Sequence, residues 1–453
     1  MEIKSSGTEN AAADSLKRVF GLPTLVIYGV GDILGAGIYA LVGKVAGFSG
    51  TLVWVSFLTA MVVAALTALS YAELGSRFPR SGGVAYFVHR TFNNNLLSTL
   101  VGWIMFCTCL VSMATGAKAF AGYFNTFGAT AFAGYLNNVP DWFVILALFS
   151  ALAYVNFRGM EESSALNIVC TTIEASGLVI VILVSSLFLF GSAEATAGTS
   201  IISPAPAIGL TAIFQGASLA FYAFIGFEDI VNVAEEVKNP ERNVPKAILL
   251  SLGIAGTVYI LVSWLATQVL NPVDLANSKA PLLDVVSQAR PNFPKFVFTF
   301  IPLFAILNTG LLNFVTASRL LYGMSREGLL PAWLGKLHVR RATPYRTLIV
   351  ILPIAIVLAL SGRIEFLAGA TATLLLAMFC LVNISLLITK RREPRTSGFR
   401  VPLAVPALAL LFNLALVAFA SRESHLLALA FTAVGIVLIF LRQVLTNRSL
   451  SSS

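Results

Sequence analysis

Gly29-Val30-Gly31-Asp32-Ile33-Leu34-Gly35-Ala36-Gly37-Ile38-Tyr39 and Phe221-Tyr222-Ala223-Phe224-Ile225-Gly226-Phe227-Glu228-Asp229 are two apolar runs broken by glycines and carboxylates. Glycine weakens a helix interior by about 1 kcal/mol relative to alanine, so a helix is expected to unwind in each run. Unwound backbone at membrane depth is tolerated only where it lines a cavity or binds something. Half-helix N-termini attract anions through unpaired N–H groups. The amides around Gly35, Ala36 and Gly37 therefore suit a carboxylate. Carbonyls left open between Phe221 and Ile225 suit an ammonium group. A carboxylate plus an ammonium describes an α-amino acid.

The surrounding composition places both runs in a bilayer. Of 453 residues 57% are hydrophobic and 11% charged, against about 25% charged in a soluble domain. At about 20 residues per crossing, apolar segments fall near 20–46, 51–75, 95–124, 140–156, 165–190, 209–234, 245–270, 296–324, 346–362, 364–389, 402–420 and 424–445. The expected fold is an all-α polytopic membrane protein of twelve transmembrane helices, its 34 glycines allowing close helix contact. A break in the first helix of each half suggests two five-helix repeats, 20–190 and 209–389, joined by an external linker over 191–208. An odd number of spans inverts the second repeat, which places the binding site where broken helices 1 and 6 meet. Two further helices occupy 390–445, and tails over 1–19 and 446–453 are expected on the cytoplasmic side. A short external helix is expected between spans seven and eight.

The net charge of +9 does not point to nucleic acid, because most of the 30 Lys and Arg residues fall in loops on the side of the N-terminus. That is the positive-inside distribution. The clusters from Lys336 to Arg346 and from Lys390 to Arg400 suit anionic lipid beside the membrane. Cys107, Cys109, Cys170 and Cys380 lie within apolar segments without metal-type spacing, so neither a disulfide framework nor a metal site is expected. His89, His338 and His425 are far apart, and the chain has no nucleophile elbow, P-loop or metal motif. An enzyme is not expected, and no cofactor is implied.

Three loop segments add a resemblance. They are Tyr71-Ala72-Glu73-Leu74-Gly75-Ser76-Arg77-Phe78-Pro79-Arg80-Ser81-Gly82-Gly83, Glu235-Glu236-Val237-Lys238-Asn239-Pro240-Glu241-Arg242-Asn243-Val244-Pro245, and the segment from Ser318-Arg319 to Gly328-Leu329-Leu330-Pro331. With the glycine-rich first run, they resemble the amino acid/polyamine/organocation superfamily of permeases, whose fold is known from the bacterial leucine transporter. The resemblance spans about residues 16–445 and implies alternating access around Gly35, Ala36, Gly37 and the Phe224 to Glu228 break. Ile38, Phe221, Ile225 and Gly226 complete the candidate substrate site. Tyr222, Phe227 and Glu228 are candidate gating residues, though packing is an equal role for the aromatics. Arg77, Arg80, Lys238, Arg242 and Arg326 are expected to pair with Glu73, Glu235, Glu236 or Glu327 at the cytoplasmic face.

Asp32, Glu174, Glu228 and Asp229 fall within apolar segments, where a central charge costs ~2.5–3.5 kcal/mol on insertion scales. Carboxyl groups so placed can take up and release protons. Glu174 is the lone charge of span five. In proton-coupled relatives a lysine stands near this level in place of a sodium ion, so Glu174 departs from that pattern and suggests a carboxylate variant. A structural hydrogen bond is its competing role. Asp32 is expected to neutralise a cation, share a proton with Glu174, or read a basic substrate side chain. Asn308, Thr309 and Asn313 offer polar groups for a cation site.

The expected function is secondary transport of amino acids across a plasma membrane, with bacterial inner membrane the expected setting and proton preferred over sodium as the coupling ion. Cationic amino acid or polyamine transport or exchange is the alternative, and a membrane nutrient sensor is the alternative of another class. The expected partners are the substrate, the proton and the lipid bilayer, with no obligatory protein partner.

Overall fold

The computed structural model describes residues 16–80, 82–131, 139–191, 209–278, 281–360, 365–394, 398–419, 425–426, 428–437 and 439. Most of the N-terminal tail, the linker from 192, Ser81 and the end of the chain from 440 lie outside them, as does the side chain of Ala36. Among the described residues nine helices are long and apolar enough to cross a membrane, with three shorter apolar helices at Tyr345–Leu360, Ala404–Ala418 and Ala428–Val437. Among the described residues the one extended pairing is an isolated parallel bridge between Phe20 and Val237.

Helix α1 (Leu22–Ser49) enters through a capping arrangement in which Gly21 N donates to Thr24 Oγ1 at 3.0 Å. Helix α2 (Val53–Arg77) returns, and a short α3 (Gly83–Phe92) fills the next loop. Long helices α4 (Asn95–Ala131), α5 (Asp141–Arg158) and α6 (Met160–Phe190) follow. After the linker, α7 (Leu210–Phe221) stops where the second glycine break begins. Helix α8 (Pro240–Val269) has Pro at its first turn, where no N–H is missed. Between α8 and α11 (Lys295–Arg326) lie two short helices, α9 (Pro272–Asn277) and α10 (Pro281–Ala289). The sequence suggested a single one. The Asn271 side chain caps α9 by accepting from Val273 N at 3.0 Å. Helices α12 (Tyr345–Leu360), α13 (Glu365–Arg392) and α14 (Ala404–Ala418) complete the set.

α1 lies at the centre, packed against α8, α6, α7 and α11, while α4 packs along α11 and α2 along α8. Several polar groups between these helices are paired. Ser70 Oγ donates to Asn383 Oδ1 at 2.6 Å and Asn413 Nδ2 donates to Thr67 Oγ1 at 2.9 Å, tying α13 and α14 to α2. Fully buried Glu73 receives Arg77 Nε at 3.0 Å, Lys390 Nζ at 2.6 and 2.8 Å and Val401 N at 2.8 Å. The expected Arg77–Glu73 pair is therefore one limb of a larger junction. Arg326 reaches Glu235 at 3.8 Å. Glu236 takes a different partner from those expected, the buried Arg319, whose Nε lies 2.8 Å from Glu236 Oε1.

Candidate site where two broken helices cross

α1 leaves helical geometry at Gly35, with φ 6° and ψ 178°. A break there strips the carbonyls of the preceding turn of their intrahelical donors. Two are recaptured from other helices: Asn308 Nδ2 of α11 donates to Gly31 O at 3.0 Å, and the Tyr259 hydroxyl of α8 donates to Ile33 O. Thr309 stands against the break itself, its Oγ1 3.0 Å from where a Cβ on Gly35 would lie, and its hydroxyl donates to Ala305 O at 3.1 Å. Asn313 donates to Thr309 O at 2.8 Å and to Ser112 Oγ at 3.2 Å, which links α11 to α4.

The second break is longer. α7 passes into a 3₁₀ turn over Tyr222–Phe224, Ile225 is extended, Gly226 takes φ +129°, and a 3₁₀ helix runs over Phe227–Glu236. Ten residues of 3₁₀ helix are unusual, since such runs normally last three or four, and a long one marks a hinge or a strained segment. The Glu228 side chain folds back, its Oε2 accepting from Gly226 N at 2.8 Å. This carboxylate occupies the amide the break releases.

The two breaks touch. A Cβ on Gly226 would lie 2.8 Å from the Asp32 carbonyl carbon and 3.0 Å from Ile33 N, and one on Gly37 would lie 3.4 Å from Ala223 Cα. Gly226 also needs a backbone region that side-chain-bearing residues rarely adopt, at a cost of order 1–3 kcal/mol. Gly226→Ala is therefore expected to destabilise the fold by about 1–3 kcal/mol. A thermal melt of purified protein measures it, with Gly253→Ala, where a Cβ meets open space, as the control.

The carboxyl groups fall into two places. Glu174 of α6 is fully buried, and neither side-chain oxygen has a hydrogen bond of acceptable geometry, although Asn308 is near enough to act on it electrostatically. Asn308 is otherwise engaged, donating to Gly31 O and to Thr171 Oγ1 at 3.1 Å and accepting from Asn167 at 2.9 Å. Tyr39, just past the first break, donates to the Glu174 carbonyl at 2.7 Å. Asp32 sits instead against Asp229 and Glu228, with Glu174 a weaker neighbour. Sharing a proton with Glu174 is one of three roles the sequence offers for Asp32. The backbone contact between the breaks gives it Asp229 first.

Phe221, Phe224 and Phe227 are buried in an aromatic cluster. Phe221 meets Phe379 at 6.0 Å between ring centroids, Phe224 meets Tyr259 at 5.3 Å and Phe57 at 6.4 Å, and Phe227 meets Tyr71 at 5.7 Å and Phe379 at 5.6 Å. Their rings brace the second break. Tyr222 and Ile225 are half-buried, and Ile38 is fully buried. Tyr259 escaped the sequence reading, and Arg319 entered it only as part of a segment, without its partner Glu236. A lone tyrosine in the apolar middle of α8 was the available signal for the first, and an arginine inside the apolar α11 for the second.

At the end of the molecule where α1 begins, the chain closes on itself. Val19 N and Phe20 N donate to Glu236 O at 2.9 and 3.0 Å, and Lys238 N donates to Phe20 O at 2.8 Å. The entrance to α1 is thus stitched to the end of the 3₁₀ helix. Among the described residues no group of three or more His, Cys, Asp or Glu side chains is arranged to hold a metal ion. All four cysteines are buried and unbridged.

Comparison with known proteins agrees with this architecture. The chain is 27% identical to a branched-chain amino acid permease of Bacillus subtilis (strain 168) over 94% of its own length and 93% of that protein. It is 31% identical to an uncharacterized transporter of Mycobacterium tuberculosis (strain ATCC 25618 / H37Rv), covering 96% of this chain and 94% of the other. Cationic amino acid transporter 4 of Mus musculus is 29% identical over 86% of this chain and 62% of its own length. The family model described as amino acid permease matches residues 20–444. The chain belongs to the amino acid permease family, a family of membrane transporters rather than enzymes.

Proposed function

We propose that this protein is a secondary active transporter of amino acids that works by alternating access in the bacterial plasma membrane, with both termini cytoplasmic and proton entry driving uptake. The crossing of the two broken helices, with Gly226 against Asp32 and Ile33 and Gly37 against Ala223, is the observation that carries this reading. The proposed twelve spans are the nine long apolar helices together with the three shorter ones. The breaks open the first spans of two five-helix repeats. Inverted repeats place a substrate at such a crossing. The substrate carboxylate is assigned to the amides of Gly35, Ala36, Gly37 and Ile38. Its ammonium group is assigned to the backbone from Phe221 to Ile225, beside Phe224, Gly226 and Glu228. Tyr222 and Phe227 flank the gate. Glu174 accepts the coupled proton, with Asn308 and Thr309 beside it.

One charge falling through 100 mV releases ~2.3 kcal/mol, enough for about fifty-fold accumulation of a neutral substrate. The test is uptake of labelled leucine and lysine into proteoliposomes, with and without an inward proton gradient. Gradient-stimulated uptake supports the reading. Equal uptake in both conditions removes proton coupling and leaves an exchanger or facilitator.

Transport of cationic amino acids is the second reading, favoured by three carboxyl groups, Asp32, Glu228 and Asp229, at the crossing. It predicts that lysine outcompetes leucine in the same vesicles.

A further inference from the structure

The sequence offers two basic clusters to anionic lipid, and the structure separates them. In the cluster from Lys390 to Arg400, charges are engaged within the protein: Lys390 Nζ holds Glu73 at 2.6 Å, and Arg392 Nη1 donates to Thr91 O at 2.7 Å. The cluster from Lys336 to Arg346 differs. Among the described residues, none of Lys336, Arg340, Arg341 and Arg346 forms an ion pair.

The loop that carries these charges is held in shape. His338 N donates to Thr343 O at 2.8 Å and Ala342 N donates to His338 O at 2.8 Å, closing a turn in which Ala342 takes φ +50°. Thr343 Oγ1 donates to Phe157 O at 3.3 Å and fastens the turn to the end of α5. The Arg341 guanidinium carbon lies 4.7 Å from the centre of the Phe157 ring. His338 stands edge-on between that ring, at 5.4 Å, and the Tyr345 ring, at 5.8 Å, while Arg346 lies 5.6 Å over Tyr345. A ring positions a cation without neutralising it. Arg341 Nη1 is buried and holds no hydrogen bond among the described residues, so the stack fixes that guanidinium and leaves its charge uncompensated.

Beside these cations the loop presents two apolar side chains, Trp333 at 44% and Val339 at 94% exposure. Val339 stands between His338 and the exposed Arg340 in the chain. The loop joins the end of α11 at Arg326 to the start of α12 at Tyr345, so it lies where two apolar helices leave the bilayer. Tryptophan favours the headgroup level of a membrane, and guanidinium groups match phosphate oxygens with paired N–H donors. A phosphate carried on acyl chains satisfies the cations and the apolar side chains together. The site faces the end of the molecule where α1 begins: Phe157 follows Asn156, whose Oδ1 accepts from Arg319 Nη1 at 3.0 Å, and Arg319 holds Glu236 of the stitched entrance.

We propose that the loop over 333–346 binds the phosphate of an anionic phospholipid in the leaflet at that end, with Arg340 and Arg341 supplying the charge and Val339 and Trp333 entering the headgroup layer. The cluster from Lys390 to Arg400 serves instead to join helices.

The test is native mass spectrometry of the purified protein, offered phosphatidylglycerol and phosphatidylcholine of the same acyl chains in equal amounts. The wild type is expected to retain the anionic lipid with about twentyfold preference, at about fivefold for each of two cations. Arg340→Gln, at an exposed position, is expected to lower that preference by about fivefold, and Arg340→Gln combined with Arg341→Gln to abolish it. Arg391→Gln, which removes an exposed cation of the other cluster, is expected to leave it unchanged. Thermal melts of each variant report the fold, and Arg340→Gln alone decides if the double variant melts early. Equal retention of the two lipids by the wild type, or a preference that survives both arginine substitutions, overturns the proposal. So does an equal fall in Arg391→Gln, which marks a general effect of charge. Loss of the preference on adding inorganic phosphate at the concentration of the lipid marks a soluble anion as the ligand and overturns the lipid assignment.

Discussion

Arg319→Gln is expected to destabilise the protein by about 3–5 kcal/mol, the cost of stranding one member of a buried ion pair. Arg319 and Glu236 are both nearly inaccessible, at 1% and 2% side-chain exposure, so water cannot replace the missing charge. The substitution also removes the bond from Arg319 Nη1 to Asn156 Oδ1 at 3.0 Å, and Asn156 Nδ2 is already unsatisfied. A thermal melt of purified protein in detergent should show the largest loss among single substitutions in α11. Arg319→Met combined with Glu236→Met should recover most of it, because a buried pair replaced by apolar groups of similar volume is often neutral in stability. A double variant no more stable than the single one would show that the pair is needed for more than charge balance.

Glu174→Gln is expected to abolish gradient-driven accumulation, lowering it from about fifty-fold at 100 mV to near unity. The carboxyl group is fully buried with both oxygens unbonded. An ionised group in that setting is costly, and a bound proton or cation would relieve that cost. Glutamine keeps the shape and removes the exchangeable proton. Uptake of labelled leucine and lysine with and without the gradient, together with substrate-induced thermal shift, reads the two parts separately. Retained binding with lost accumulation assigns Glu174 to coupling. Unchanged accumulation makes it a packing residue.

Both breaks were legible in the sequence because glycine inside an apolar run has a strong local signature. Gly35 and Gly226 stand where the helices unwind. Glu174 was legible for the same reason, as a lone charge within an apolar helix. What escaped was set by distance along the chain. Arg319 meets a carboxylate 83 residues away and Tyr259 caps a carbonyl 226 residues away, and no local pattern encodes such pairings. The preference of Asp32 for Asp229 over Glu174 depends on which face of the second break meets the first. That is decided by the close approach at Gly226. The 3₁₀ form of residues 227–236 was also hidden, since its hydrophobic pattern suits either helix type.

The stitch between the entrance of α1 and Lys238 is made from main-chain groups alone. Alanine scanning would pass over it, because no side chain forms those bonds, and the Lys238 side chain is exposed. Proline is the exception, since it deletes the amide while suiting the extended Val237 that precedes it, at φ −94° and ψ 136°. Lys238→Pro thus removes the bond from Lys238 N to Phe20 O and keeps the two that Glu236 O accepts from Val19 N and Phe20 N. A protein engineer could use that one position to bias the resting state of the molecule.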